Sequence, residues 1–227
     1  MRGRFLVGKI SKPANRKTIR VIVADDHPVV REGISALVKS QKDMQVVSEA
    51  ANGRQAVQQF LLHRPDVMLL DLRMPEMNGI EAIHAIIEKE PKAKIIVLST
   101  YDGDEDIYRA LQAGAKAYLL KDSPREQLLE SIRAVYGGQR SIPSAIGAQL
   151  AAHMQAPKLT KRETEVTTLM AAGKSNKEIG VSLGVTEGTV KVHTRRIFKK
   201  LGAAGRTDAI RKALERGIVH LNPYYEI

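Results

Sequence analysis

Between residues 18 and 140 the apolar positions alternate between two rhythms. Short unbroken apolar runs give way to stretches in which apolar side chains recur every three or four positions. The first rhythm reads as a strand buried on both faces, the second as a helix with one buried side. The runs are Ile19 to Ala24, Met44 to Ala50, Val67 to Leu70, Lys94 to Leu98 and Ala117 to Leu120. The helical stretches follow Pro28, then cover Arg54 to Leu62, Ile80 to Ile87, Asp106 to Ala113 and Pro124 to Tyr136. Strand and helix in strict alternation predict an α/β doubly wound, five-stranded parallel sheet.

The rhythm changes after residue 140. Residues 141–157 are rich in Ser, Pro, Ala and Gln and carry no charge. They read as a linker, with a short helix over Ala145 to Met154. Residues 158–227 keep only the helical period. Thr160 with Glu163 and Ser175 with Glu178 have capping-box spacing, Thr186 and Thr207 are candidate caps, and Gly173, Gly184, Gly202 and Gly217 are stops. The middle two helices have the size of a helix-turn-helix. Residues 1–17 show no period and read as a basic, flexible arm.

Charge sharpens this division. The net charge is +11, but residues 18–140 carry 16 basic and 18 acidic groups, while residues 158–227 carry 14 and 7. A near-neutral first domain joined to a basic second one points to an anionic partner for the second, most often nucleic acid. With no Cys, disulfides and thiolate metal sites are excluded. No apolar run approaches the roughly 18 residues of a membrane span, so a soluble cytoplasmic protein with no membrane partner is expected. No Gly-x-x-x-x-Gly-Lys loop is present, which excludes a P-loop ATPase.

The chemistry gathers where the strands end. The first strand delivers Asp25 and Asp26, the third Asp71, the fourth Thr100 and the fifth Lys121, all at the carboxyl edge where open α/β sheets bind ligands. Three crowded carboxylates repel one another, by on the order of 4 kcal/mol per close pair at an effective dielectric near 20. A divalent cation relieves this, and all-oxygen ligands with room for water favour Mg²⁺. Lys121 and the Thr100 hydroxyl would then suit a phosphoryl group carried on Asp71.

Residues 18–140 thus resemble the receiver domain of bacterial two-component response regulators, a flavodoxin-like fold. The matching residues are Asp25-Asp26, the run Asp71-Leu72-Arg73-Met74-Pro75-Glu76-Met77-Asn78-Gly79, Thr100, Tyr118 and Lys121. The resemblance implies that a sensor histidine kinase phosphorylates Asp71. It implies that Asp26, Asp71 and the Arg73 carbonyl hold Mg²⁺, with Asp25 helping through water. Thr100 and Tyr118 become a conformational switch and Lys121 the phosphate-sensing cation. Asp122 stands where many receivers have Pro, so Lys121 is expected on a less constrained loop. Arg73 and Asp102, each two residues beyond a site residue, are a candidate lid over the phosphorylation site.

Residues 158–227 resemble the LuxR-type helix-turn-helix of the NarL/FixJ class. The match runs from Leu159-Thr160-Lys161-Arg162-Glu163 through Gly173-Lys174-Ser175-Asn176-Lys177-Glu178-Ile179 to Gly188-Thr189-Val190-Lys191-Val192-His193. Gly180 departs from it and suggests a slightly weakened scaffold helix. In the third helix Val190, Ile197 and Leu201 form an inner stripe, and Lys191, Arg195 and Lys199 recur at i, i+4 and i+8 on the other side. Such a helix fits the major groove of double-stranded DNA. By resemblance Lys191, Val192 and Arg195 reach bases. Thr189, Arg196 and Lys199 are read as phosphate or flank contacts, and His193 as a packing or phosphate-contact residue.

The function expected is that of a DNA-binding response regulator, not an enzyme. Phosphorylation would control homodimerisation and transcription, with RNA polymerase as a further candidate partner. A haloacid-dehalogenase-type phosphatase would need Asp-x-Asp, and the second position here is Arg73.

Overall fold

The computed structural model describes residues 18–100 and 103–219. The basic arm 1–17, Asp102 and residues 220–227 lie outside the described residues. Five strands, β1 (Ile19–Ala24), β2 (Met44–Ala50), β3 (Val67–Asp71), β4 (Ile95–Ser99) and β5 (Ala117–Leu120), alternate with α1 (Pro28–Lys39), α2 (Gly53–His63), α3 (Gly79–Lys89), α4 (Asp104–Ala113) and α5 (Arg125–Tyr136). Then come α6 (Ser144–Gln155), α7 (Lys161–Ala171), α8 (Asn176–Leu183), α9 (Glu187–Leu201) and α10 (Arg206–Glu215).

The strands form one parallel sheet in the order β2-β1-β3-β4-β5. Alternate side chains of each strand point to opposite faces. Ile22, Met68, Leu70, Ile95 and Val97 meet Phe60 of α2, Ile83 and Ile86 of α3 and Ile107 of α4. Val21, Leu69, Ile96 and Leu119 meet Val38 of α1 and Leu129 and Ile132 of α5. Both faces are covered, which explains the unbroken apolar runs. In the central β3, Val67, Met68, Leu69 and Leu70 are fully buried. At roughly 1.5–3 kcal/mol each they anchor the strand that ends in Asp71.

Residues 158–219 enclose a separate core of Val166, Met170, Ile179, Val190, Ile197, Leu201 and Ala213. Both capping boxes form as the spacing predicts, and Thr186 caps α9. Thr207 does not cap α10. Gly205 takes that position without a side-chain cap, and the Asp208 carboxylate instead accepts from the Ala204 N–H at 3.0 Å. Nor is Gly180 a flaw in α8. A Cβ there would sit 2.8 Å from the Val185 carbonyl oxygen, so glycine lets the turn close against the helix.

Two elements exceed the sequence pattern. Helix α4 begins at Asp104, because Asp104, Glu105 and Asp106 all suit the positive end of its dipole. The short helix expected within the linker forms as α6, one residue longer at each end, and it does more than connect: it packs on α4 and contributes Ile146 to the first core.

Candidate functional site

Strands β1 and β3 are neighbours, with Ala24 opposite Leu70, so Asp25 and Asp71 leave the sheet side by side. The strand order reverses here, because β2 lies on the outer side of β1. Such a switch point opens a crevice at the carboxyl edge. Asp25 and Asp71 are 1% and 3% exposed, which makes their partners decisive. Lys121 supplies one: its Nζ lies 2.8 Å from Asp25 Oδ2 and 2.8 Å from Asp71 Oδ2. The Lys121 N–H donates to the Ser99 carbonyl at 2.8 Å, which extends the β4–β5 pairing. Its backbone is therefore tied to β4, contrary to the loose loop that Asp122 suggested.

Electrostatics follow from burial. Burial pushes the Asp71 carboxyl above its ordinary value, and Lys121 only partly offsets this. Burial pulls Lys121 down, but hydrogen bonds to Asp25 and Asp71 outweigh it and leave its pKa raised. The Arg73 N–H also donates to Asp71 Oδ1, at 3.3 Å. Asp26 lies beside this pair, and His27 Nδ1 is 2.7 Å from its Oδ1. One ligand atom each from Asp25, Asp26, His27 and Asp71 falls within 4.8 Å of the others. Two buried carboxylates share one lysine, and Asp26 stands within the same cluster, an acidic grouping whose charge a cation can balance.

Surrounding turns fix this pocket. Asn78 and Glu81 form a capping box at the start of α3. Gly79 donates to the Leu72 carbonyl, and a Cβ there would lie 2.3 Å from the Asp71 carbonyl oxygen. The loop after Asp71 thus folds back on its own strand. Thr100 follows β4 at the same edge and is exposed. Tyr118, the other switch candidate, is fully buried within β5.

His27 was not singled out from the sequence. Its place directly after Asp25-Asp26 was the available signal. Also unforeseen is a cluster joining α4, α6 and α10. His153 of α6 is almost fully buried, with Nδ1 3.1 Å from Asp104 Oδ2 and Nε2 3.5 Å from Glu105 Oε2. Arg216 Nη2 lies 3.2 Å from the same Asp104 oxygen.

The second site is the face of α9. Val190, Thr194, Ile197 and Leu201 are buried in the helical core. Thr189, Lys191, Val192, Arg195, Arg196 and Lys199 are all exposed on the remaining surface. Beneath them Lys200 anchors α9 to α7 through Glu163 at 2.7 Å. Lys191 pairs with Glu187 at 2.7 Å. An exposed pair of this kind is worth only about 0–1 kcal/mol, so an anionic ligand can displace it.

Comparison with known proteins matches both domains. The response regulator receiver domain family matches residues 21–133, and the luxR family of bacterial regulatory proteins matches residues 157–213. The transcriptional regulatory protein YhcZ of Bacillus subtilis is 43% identical, over 84% of this chain and 93% of its own. The nitrate/nitrite response regulator NarL of Escherichia coli is 37% identical, over 86% and 95%. The solved structure of ChrA, the response regulator of a heme-sensing two-component system, superposes with a TM-score of 0.55 at 34% identity, covering 88% of this chain and 98% of that one. This chain belongs to the NarL/FixJ family of two-component response regulators, which join a receiver domain to a LuxR-type DNA-binding domain.

Proposed function

We propose that Asp71 is the phosphoacceptor and that its phosphorylation controls how the helical domain binds DNA. The observation that carries this reading is the bridge of Lys121 between Asp25 and Asp71, 2.8 Å from each, at a buried switch point. A carboxylate held there is an oxygen nucleophile beside a fixed cation. An Asp71 oxygen attacks the phosphorus of a phosphohistidine on a sensor kinase. The P–O bond forms as the P–N bond breaks, and the imidazole leaves. Lys121 offsets the negative charge gathered on the phosphoryl oxygens.

The cation that suits this oxygen-rich pocket is Mg²⁺, held by Asp26, Asp71 and the Arg73 carbonyl, with Asp25 acting through water. It would supply charge neutralisation on the phosphoryl oxygens. Thr100 and Tyr118 are the elements whose rearrangement would report the modified state. Residues 18–140 and 158–227 are the two working units, with 141–157 between them.

The output is recognition of double-stranded DNA by α9. Lys191, Val192 and Arg195 would read base edges, and Thr189, Arg196 and Lys199 would contact phosphates or flanks. Binding by two copies suits a helix-turn-helix reading paired half-sites, and α10 is the pairing element we favour. RNA polymerase is a further candidate partner. The protein acts in the cytoplasm as a phosphoacceptor, with no catalytic turnover of a separate substrate.

Intact-mass measurement after incubation with a small acyl phosphate and Mg²⁺ tests the reading. The chain should gain one phosphoryl group and Asp71→Ala should gain none. Labelling that persists in Asp71→Ala would place the acceptor elsewhere.

A further inference from the structure

The C-terminal end of α10 docks on the first turn of α4. The Glu105 N–H, one of the donors a helix start leaves without an intrahelical partner, donates to the Arg216 carbonyl at 3.0 Å. The Arg216 guanidinium reaches Asp104 at 3.2 Å. The two backbones meet without room for a side chain. A Cβ on Gly103 would sit 2.8 Å from the Arg216 carbonyl carbon, and one on Gly217 would sit 2.7 Å from Asp106 Oδ2. Asp106 itself is 5% exposed. Its carboxylate therefore forms the seat on which Gly217 rests.

The same Asp106 oxygen faces Arg73, whose Nη2 lies 3.7 Å away. Arg73 also belongs to the phosphorylation site, through its N–H bond to Asp71 Oδ1. One residue thus touches both the phosphoacceptor and the seat of the DNA-binding domain. Resting on the phosphoacceptor role assigned to Asp71, we propose that Arg73 is the charge relay between the two. Its guanidinium steadies Asp106 under Gly217, and a phosphoryl group on Asp71 draws it away.

The competition favours the phosphoryl group. At neutral pH such a group carries about 1.5–2 negative charges and three acceptor oxygens, against one charge on Asp106. Guanidinium groups pair phosphates bidentately, whereas 3.7 Å from Asp106 is a loose ion pair. Once Arg73 turns to Asp71, the α4 first turn holds Asp104, Glu105 and Asp106 with one cation fewer. Its repulsion then falls on the buried carboxylate beneath Gly217, and α10 is released.

Distance measurement between spin labels tests this, and the absence of native Cys allows clean labelling. Exposed Glu88 on α3 and Ser182 on α8 are each changed to Cys in the full-length protein. Without phosphorylation the parent should give one narrow distance. Arg73→Ala and Arg73→Gln should each raise the population of longer distances several-fold. Phosphorylation with a small acyl phosphate should open the parent and open Arg73→Ala no further. A narrow parent-like distance in both Arg73 variants overturns the relay, as does equal further opening of phosphorylated Arg73→Ala. Should the parent take no phosphoryl group at Asp71, the phosphoacceptor reading fails on its own. The unphosphorylated Arg73 variants still decide whether Arg73 holds the seat.

Discussion

The strand-end pocket and the face of α9 are both built from charge, and they hold it in opposite ways. In the pocket the buried Asp25 and Asp71 each pair with Lys121 at 2.8 Å. On α9 Arg195, Arg196 and Lys199 stand exposed to solvent. Buried charges need partners inside the molecule, so disturbing them alters folding. Exposed charges need a partner from outside, so disturbing them alters binding and leaves folding almost untouched. The two regions should therefore separate cleanly in mutants.

The largest effect is expected at Lys121. Lys121→Ala strands two buried carboxylates, which should cost about 3–5 kcal/mol of receiver stability. Chemical denaturation measures it, and added divalent cation should restore part of the loss. A change within experimental error would mean that the pocket is wetter than its geometry implies.

Next come Lys191→Ala and Arg195→Ala. Each should weaken binding to a specific DNA site by about 1–3 kcal/mol while moving unfolding by less than about 0.5 kcal/mol. Binding should fall steeply with added salt, because phosphate contacts release counterions. An affinity indifferent to salt would remove the nucleic-acid reading of this face.

Asp71→Asn should act in the opposite direction to Lys121→Ala. Burial holds the Asp71 pKa above its ordinary value, so ionisation of this group opposes folding at neutral pH. The neutral amide should therefore raise receiver stability without metal, by less than Lys121→Ala lowers it. The gain should shrink as pH falls below the raised pKa and be gone at the ordinary 3.8, below which the carboxyl is protonated whether folded or unfolded. Denaturation at several pH values reads the difference.

The smallest effect is expected at Glu163, the buried charge beneath α9. Burial works to raise its pKa, but bonds from Lys200 and Thr160 outweigh this and leave it below the ordinary 4.5. Its contribution to stability is complete above pH 4.5 and is lost as pH falls below that, through the depressed value. Glu163→Gln should flatten this acid limb of the unfolding profile. An unchanged limb would mean that the α9 anchor behaves like an exposed pair.

What the sequence disclosed follows the range of the interactions. Strand and helix order depends on local period, and β3 and its terminal Asp71 stand out because four apolar residues precede the acid. The α9 stripe was equally legible, because one helix supplies every position in it. Asp25, Asp71 and Lys121 could be placed at one edge because parallel strands bring their ends together. The 2.8 Å bridge of Lys121 could not be foreseen, since it depends on β4 lying between β3 and β5. The docking of α10 on α4 was hidden for the same reason. Arg216 and Asp104 are far apart in the chain, and Gly103 and Gly217 reveal their close approach only once both backbones are placed. Gly180 shows the converse, for it reads as a weakened helix until Val185 is seen against it.

The central claim is that charge on Asp71 governs the DNA-binding face. Titration of specific DNA with the full-length protein, before and after treatment with a small acyl phosphate and Mg²⁺, tests it most directly. The account predicts tighter binding after treatment of the parent and no change for Asp71→Ala. A treated Asp71→Ala protein that gains affinity as the parent does would contradict it.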